Sequence, residues 1–277
     1  MDNQMELIRS KIEEAEFILV GCGLGFEKNI GSFAEEEIYK PLSELGINGK
    51  AKLLEELQDE EAVSWIHQVL VNYFNKEHTL QAYSNLYELI KDKNYFVLSM
   101  NTSELIMQSG LDHSKIVMPC GNEGVFQCSK SCTHDVYPNR DYVFNFVEHL
   151  PDIIGAVKSG KSIREYLPYC KECSEPLTFN VRANVESYVE EGYLTQWQNY
   201  MQWLSRTLNK KLLLIELEVD FTLPSLIRWP FEKNAYLNNK ACLIRVNHQF
   251  PQLAEEISGK GISVSMTVDE FLEVVNK

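Results

Sequence analysis

The chain has no run of about 18 apolar residues, the length at which a segment begins to read as a membrane-spanning helix. Its opening residues, MDNQMELIRSKIEEAE, lack the basic start and apolar centre of a secretory signal and form an acidic amphipathic pattern instead. These two absences set the expectation of a cytoplasmic protein with no membrane partner. Basic residues are also in short supply. Twenty-six Lys and Arg stand against 40 Asp and Glu, for a formal charge of −14. No basic stripe is available to neutralise phosphates, so nucleic acid is excluded as an expected partner, and the negative charge reads as a solubility feature. No internal repeat and no low-complexity segment interrupts the chain.

What remains is an ordinary globular composition. The 277 residues are 44% hydrophobic and 24% charged, enough for one large α/β domain or a domain with a substantial insertion. Asn3 to Ala15 reads as a helix with Met5, Ile8 and Ile12 on one face. Phe17 to Val20 is a continuously apolar strand of the kind buried on both faces of a parallel sheet. Ser32 and Glu35 fit a capping box that opens a further helix. Helical patterns cover Leu53–Phe74 and Leu80–Lys93, and strands follow at Tyr95–Met100 and Lys115–Met118.

From Gly121 to about Asn180, cysteines, prolines and loops surround one amphipathic helix, Tyr142–Val157. Regular alternation then resumes: a helix at Leu194–Leu208, a strand at Leu212–Leu217, a helix around Ser225–Tyr236, strands at Ala241–Val246 and Ile262–Ser265, and a last helix capped by Thr267 and Glu270. The stripe Tyr193, Trp197, Tyr200 and Trp203 has helical spacing and reads as core or interface. The expected fold is α/β, a doubly wound, mostly parallel Rossmann-like sheet built from 1–120 and 181–277, with a small inserted lobe at 121–180.

Four of the seven cysteines fall in that lobe. Cys128 and Cys132 form a C-x3-C pair, and Cys170 and Cys173 a C-x2-C pair. Two such pairs brought together by the intervening segment make a tetrahedral thiolate site, and four sulfurs leave no open position, so the expectation is structural zinc. The plainer alternative is four unrelated reduced thiols. Cys22, Cys120 and Cys242 lie outside the set, and Cys242 follows a buried-strand pattern.

The stretch EFILVGCGLGFEK ends an apolar strand in Gly21-Cys22-Gly23-Leu24-Gly25. Gly-x-Gly at that point permits a tight turn and close approach of backbone N–H groups to a pyrophosphate. The complete G-x-G-x-x-G fingerprint requires a small residue where Phe26 stands, and Glu27 adds negative charge. A nucleotide loop and a tight structural turn both remain open on this stretch alone.

Taken with later segments, the loop and the cysteine quartet resemble the sirtuins, most closely the bacterial class M branch, whose studied members act as protein ADP-ribosyltransferases. Gly21 to Gly25 is similar to the family's first cofactor loop, G-A-G-x-S, and Ser99-Met100-Asn101-Thr102-Ser103 to its T-x-N-x-D segment. Gly121 to Cys128 resembles the lead into the zinc lobe, Leu217 to Glu232 the G-V-G-F-N-T-P segment with its following helix, and Leu243 to Asn247 the strand whose terminal Asn meets the adenosine ribose. The resemblance implies NAD as cofactor, held by Gly21, Gly23, Gly25, Asn101 and Asn247. It implies catalytic positions at Asn101 and at Cys120, where most sirtuins carry His and class M carries Gln. It also implies a protein substrate or partner, of the lipoyl-carrier type by analogy with class M.

The departures fall on one function. Ser103 replaces the family's Asp, Gly25 replaces a Ser, and Glu218 and Asp220 replace glycines on the phosphate side. A carboxylate ~4 Å from a phosphate charge at an effective dielectric of about 20 is unfavourable by ~4 kcal/mol before screening. Two readings follow: a sirtuin-type NAD-dependent deacylase or ADP-ribosyltransferase with a degenerate cofactor site, or a non-enzymatic homologue that binds a partner or ligand without NAD turnover.

Overall fold

The structure, a computed structural model, describes residues 2–28 and 35–277. In its first half the elements are α1 (Asp2–Glu14), β1 (Phe17–Cys22), α2 (Gly25–Lys28), α3 (Glu35–Ile38), α4 (Lys50–Leu57), α5 (Glu60–Glu77), α6 (Gln81–Ile90), β2 (Tyr95–Ser99), β3 (Ile116–Val117) and β4 (Gly121–Cys128). There follow β5 (Val136–Pro138), α7 (Arg140–Glu148), α8 (Leu150–Lys158), β6 (Leu177–Val181), α9 (Glu191–Ser205), β7 (Leu212–Leu217), α10 (Arg228–Leu237), β8 (Cys242–Val246), β9 (Gly261–Val264) and α11 (Val268–Val275).

The apolar runs become the sheet. Six parallel strands stand in the order β3-β2-β1-β7-β8-β9. One face packs against α1, α6 and α11 through Ile8, Tyr83, Leu86 and Phe271, and the other against α9 and α10 through Tyr200, Trp203 and Phe231. This is the expected doubly wound arrangement. Chain order runs outward in both directions from the β1–β7 pair, so the topological switch point lies between those strands. Open α/β sheets present their ligand crevice at the carboxyl ends there. The aromatic stripe on α9 is core as expected, with Trp203 edge-on to Phe17 and close to Phe96.

Three local expectations change. The pattern read as one helix over Leu53–Phe74 is two. Gln58 takes a left-handed φ of 52° that ends α4, and the Asp59 carboxylate then caps α5 by accepting from the Ala62 N–H at 3.0 Å. The helix read over Tyr142–Val157 also breaks, at His149, where Pro151 opens the first turn of α8. The inserted lobe, read as loops around a helix, contains an antiparallel sheet ordered β5-β4-β6. Its central strand carries an irregularity between Asn122 and Phe126 that destroys the two-residue alternation by which strands are recognised. The Thr267–Glu270 capping box forms as expected, while the proposed box at Ser32 lies outside the described residues.

A second core joins the lobe to helices far upstream. Tyr39, Leu53, Ile66 and Leu70 pack with Phe126, Phe146, Ile154 and Phe179. The helices between Tyr39 and Phe74 thus share their interior with the lobe rather than with the parallel sheet.

The sheet itself encloses a charged network. Glu216 on β7 and Arg245 on β8 stand in register and are both fully buried. The guanidinium of Arg245 donates to both carboxylate oxygens of Glu216, at 2.8 and 3.0 Å, and to Glu232 on α10 at 2.9 Å. Arg228 completes the set and donates to the carbonyls of Phe250 and Gln252. Removing one partner from such a buried pair strands an uncompensated charge. Glu216→Ala is therefore expected to lower unfolding stability by about 3–5 kcal/mol in urea titration; a loss below about 1 kcal/mol would show that the network is not held as described.

Candidate functional site

A cavity of about 870 Å³ opens where the carboxyl ends of the parallel strands meet the lobe. Leu24 enters it from the turn after β1, Met100 to Ser103 from the turn after β2, Cys120 from the end of β3, and Thr222 and Leu223 from the segment after β7. The opposite wall comes from Val71 and Asn75 on α5, Glu123 on β4 and Arg182 just past β6. A smaller hollow of about 190 Å³ lies beside it, lined by Gly25, Glu218, Asp220, Asn247, His248 and Phe250.

The glycines of the first loop face their own chain. A Cβ on Gly21 would stand 2.4 Å from Ile227 Cγ2, so this glycine lets the segment leading into α10 pack on β1. A Cβ on Gly23 would stand 2.1 Å from the carbonyl oxygen of Glu218 and 2.4 Å from Val219 Cα. Two N–H groups of this turn are in use: Gly23 donates to the Leu217 carbonyl at 2.8 Å, extending the β1–β7 ladder by one rung, and Gly25 to the Glu218 carbonyl at 3.3 Å. Glu218 itself adopts φ 50°, a left-handed conformation that costs a non-glycine residue on the order of 1 kcal/mol. Its carboxylate lies 3.1 and 3.2 Å from Nδ1 of His248. Burial raises the Glu218 pKa, and the contact with His248 opposes that rise.

The two retained asparagines tie loops together. Asn101 donates through Nδ2 to the Gly23 carbonyl at 2.9 Å, and its own N–H is held by Ser99 Oγ at 3.1 Å. Asn247 donates to the Val219 carbonyl at 3.1 Å, while its Oδ1 accepts the N–H groups of Gln249 and Phe250. Asn101 lines the large cavity and Asn247 the small one. Asp220 caps the turn after β7 by accepting from the Thr222 N–H at 2.9 Å. Cys120 lines the large cavity with its thiol pKa raised by burial, an effect that neighbouring Arg182 opposes.

Three of the residues that depart from the resemblance, Phe26, Glu27 and Ser103, form one connected group through Tyr83. Phe26 is fully buried and stacks on Tyr83 with ring centroids 4.4 Å apart. The Tyr83 hydroxyl and the Ser103 hydroxyl each donate to the same Glu27 oxygen at 2.8 Å. Ser103 Oγ in turn accepts the Leu105 N–H at 3.3 Å. Across the cavity, Glu123 accepts from the Thr102 hydroxyl at 3.0 Å. Burial drives both carboxyl pKa values upward, and each neutral hydroxyl donor pulls back towards the ionised form. Neither Glu123 nor Arg182 is singled out by any motif. In the sequence Glu27 reads only as an unwanted charge in a phosphate loop.

In the lobe the four expected cysteines converge. Cys132 Sγ is 3.2 Å from Cys173 Sγ and 3.5 Å from Cys170 Sγ, and Cys128 Sγ is 3.5 Å from Cys173 Sγ. All four sulfurs lie within 4.8 Å of one another, a set that could hold a metal ion. Each pair is followed or spanned by a left-handed serine, Ser131 at φ 47° and Ser174 at φ 60°, which bends the chain so that both sulfurs face inward. His134 stands apart, exposed and 2.9 Å from Glu191. Cys22 is buried in β1, and Cys242 is half-buried on β8.

The packing of Gly23 yields a direct expectation. A methyl group there must displace backbone, so Gly23→Ala should cost about 2–3 kcal/mol of unfolding stability in ligand-free protein. A loss below about 0.5 kcal/mol, as for an open loop at the surface, would refute the contact with the segment after β7.

No model of a known protein family matches this chain. Over 97% of its length it is 22% identical to a protein ADP-ribosyltransferase of Staphylococcus aureus, covering 86% of that protein. It is 29% identical over half its length to a probable bifunctional ADP-ribose hydrolase/ADP-ribosyltransferase of Fusarium oxysporum, of which it covers 23%. Among solved structures, a sirtuin studied for its substrate affinity superimposes with a TM-score of 0.56 at 16% identity, covering 98% of this chain and 97% of that one. A Sir2 enzyme studied for mechanism and regulation gives 0.54 at 15% identity, covering 99% and 97%. With the switch-point cavity, the inserted cysteine lobe and these likenesses together, the chain has a sirtuin-like fold and is similar in sequence to proteins of the ADP-ribosyltransferase type.

Proposed function

We propose that this chain is a sirtuin-like protein of the NAD-dependent deacylase and ADP-ribosyltransferase type whose cofactor site is degenerate, and that it binds a protein partner at its cavity with little or no NAD turnover. One observation carries the reading: the Gly23 and Gly25 N–H groups donate to the carbonyls of Leu217 and Glu218. A dinucleotide is gripped through such free N–H groups at a switch-point turn, reinforced by positive charge. Here the last carbonyl of β7 and the Glu218 carbonyl just past it take those two donors, and the side chains added are the carboxylates of Glu218 and Asp220. The residues present do not fit a diphosphate, and no reaction step is derived through NAD.

A second reading, an active NAD-dependent protein ADP-ribosyltransferase, is favoured by the near full-length match to a protein of that name. On that reading Asn101 and Cys120 face the reacting ribose, and Gly21, Gly23, Gly25 and Asn247 approach the rest of the cofactor. In either case the partner is a protein, with a lipoyl-carrier-type protein as the candidate that the class M resemblance supplies. Cys128, Cys132, Cys170 and Cys173 are proposed to hold structural zinc, since four thiolates complete a tetrahedral shell and leave no position for chemistry. The cysteines outside that set, unpaired, suit a reducing compartment, and the proposed location is the cytoplasm.

Two measurements test these assignments. A functional site at an NAD concentration about 100 times its Kd would add about 2.7 kcal/mol of stability. The expectation is no thermal shift and no nicotinamide release at millimolar NAD; a clear shift with release would establish the second reading. Metal analysis of the purified chain should return one zinc per molecule, lost in Cys128→Ser together with a large drop in melting temperature. A folded, metal-free preparation of equal stability would refute the structural site.

A further inference from the structure

The large cavity joins apolar walls to two acidic groups that form no salt bridge among the described residues. Leu24, Val71, Leu80, Met100, Leu105 and Leu223 supply apolar surface on several sides. Glu27 and Glu123 project into the same space from different elements. Hydroxyls hold both in place, those of Tyr83 and Ser103 on Glu27 and that of Thr102 on Glu123, and the Asn75 side chain and the charge of Lys76 also favour the ionised form of Glu123. Among the described side chains, neither forms an ion pair. The nearby cations are engaged elsewhere. Lys76 is buried against Glu104, and Arg182 donates to Glu190 at 2.5 Å while lying over the Tyr188 ring.

Buried carboxylates are ordinarily paired with a cation or hydrogen-bonded to the limit of their acceptor capacity. Here one Glu27 oxygen takes both hydroxyl donors, and its second oxygen has no hydrogen-bond donor among the described residues. Burial also pushes both carboxyl groups towards the protonated form; Glu123 adds to the rise at Glu27, while Lys76 opposes part of the rise at Glu123. A ligand that restores their ionisation must bring positive charge on a slender apolar stem. An ammonium on an aliphatic chain meets both requirements: its methylenes lie along the walls and its three N–H donors reach the carboxylates.

We propose that the cavity is selective for a primary alkylammonium group, with Glu27 and Glu123 as its specificity-determining residues, so that an unmodified lysine side chain is preferred to one whose amine has been acylated. This rests on the reading of the cavity as the partner-binding site. It concerns charge at that site and is independent of whether NAD binds. An amide-capped lysine would be desolvated against two carboxylates with no charge to offer them, whereas the free amine forms charge-assisted hydrogen bonds.

The test uses the full chain and three probes in calorimetric titration: Nα-acetyl-lysine methylamide, its Nε-acetylated counterpart, and n-pentylamine. The charged lysine probe is expected to bind about tenfold more tightly than the Nε-acetylated one. Glu27→Gln, which keeps an oxygen for Tyr83 and Ser103, should remove that preference while melting close to the parent chain. If this variant fails to fold, Glu123→Gln decides by the same measure. Pentylamine binding as well as the lysine probe would assign the ligand to free amines, and weaker binding to peptide-borne lysine; either supports ammonium selectivity. Equal or tighter binding of the Nε-acetylated probe, binding of none of the three, or an unchanged preference in both variants would overturn it. NAD titrated in parallel reports on the cofactor reading alone, so the failure of one is distinguishable from the failure of the other.

Discussion

The turn after β1 and the segment after β7 press backbone against backbone, and the architecture of the site depends on that contact. Gly23 is close enough to Glu218 and Val219 that no side chain fits between them. Asn101 and Asn247 then fasten the same two segments from either side, one to the Gly23 carbonyl and the other to the Val219 carbonyl. On either side of this contact the strand ends carry a large cavity, reached also by Leu24, Thr222 and Leu223, and a small acidic hollow beside Asn247 and His248. In an open α/β sheet these two spaces would be parts of one crevice.

The substitutions in the first loop are mutually supportive. Phe26 fills volume against Tyr83, and the tyrosine hydroxyl thereby reaches Glu27. Ser103 is short enough to donate to Glu27 from the neighbouring turn while also capping its own helical turn. A larger acid at 103 would set two carboxylates against each other. Glu27 and Ser103 therefore make physical sense together and little sense separately, as expected where local choices agree with one another.

Much of the fold was legible because its signals are local. The apolar run at Phe17, the strand at Leu212 and the Thr267 capping box each announce themselves within a few residues, and the cysteine pairs carry their own spacing. The break at Gln58 is hidden because that residue is neither glycine nor proline, whereas the one at His149 is signalled by Pro151, a cue that the continuing amphipathic period outweighs. The lobe sheet escaped notice because the irregularity in β4 scrambles its alternation. The glycines of the first loop were legible as a tight turn, but what they face was not, since Glu218 is distant in sequence. For the same reason Glu123 and Arg182 carried no signal: a cavity wall assembled from α5, β4 and the end of β6 has no linear motif.

The helix α5 belongs to two structures at once. Its Ile66 and Leu70 are set in the core shared with the lobe, while Val71 and Asn75, each turned away from that core, form a wall of the cavity. A rigid helix transmits displacement along its length, so the interior of the cysteine lobe and the width of the cavity are mechanically joined through about one helical turn. The cysteine lobe's interior and the cavity wall therefore share one element, and a substitution on either side of α5 meets the packing of both.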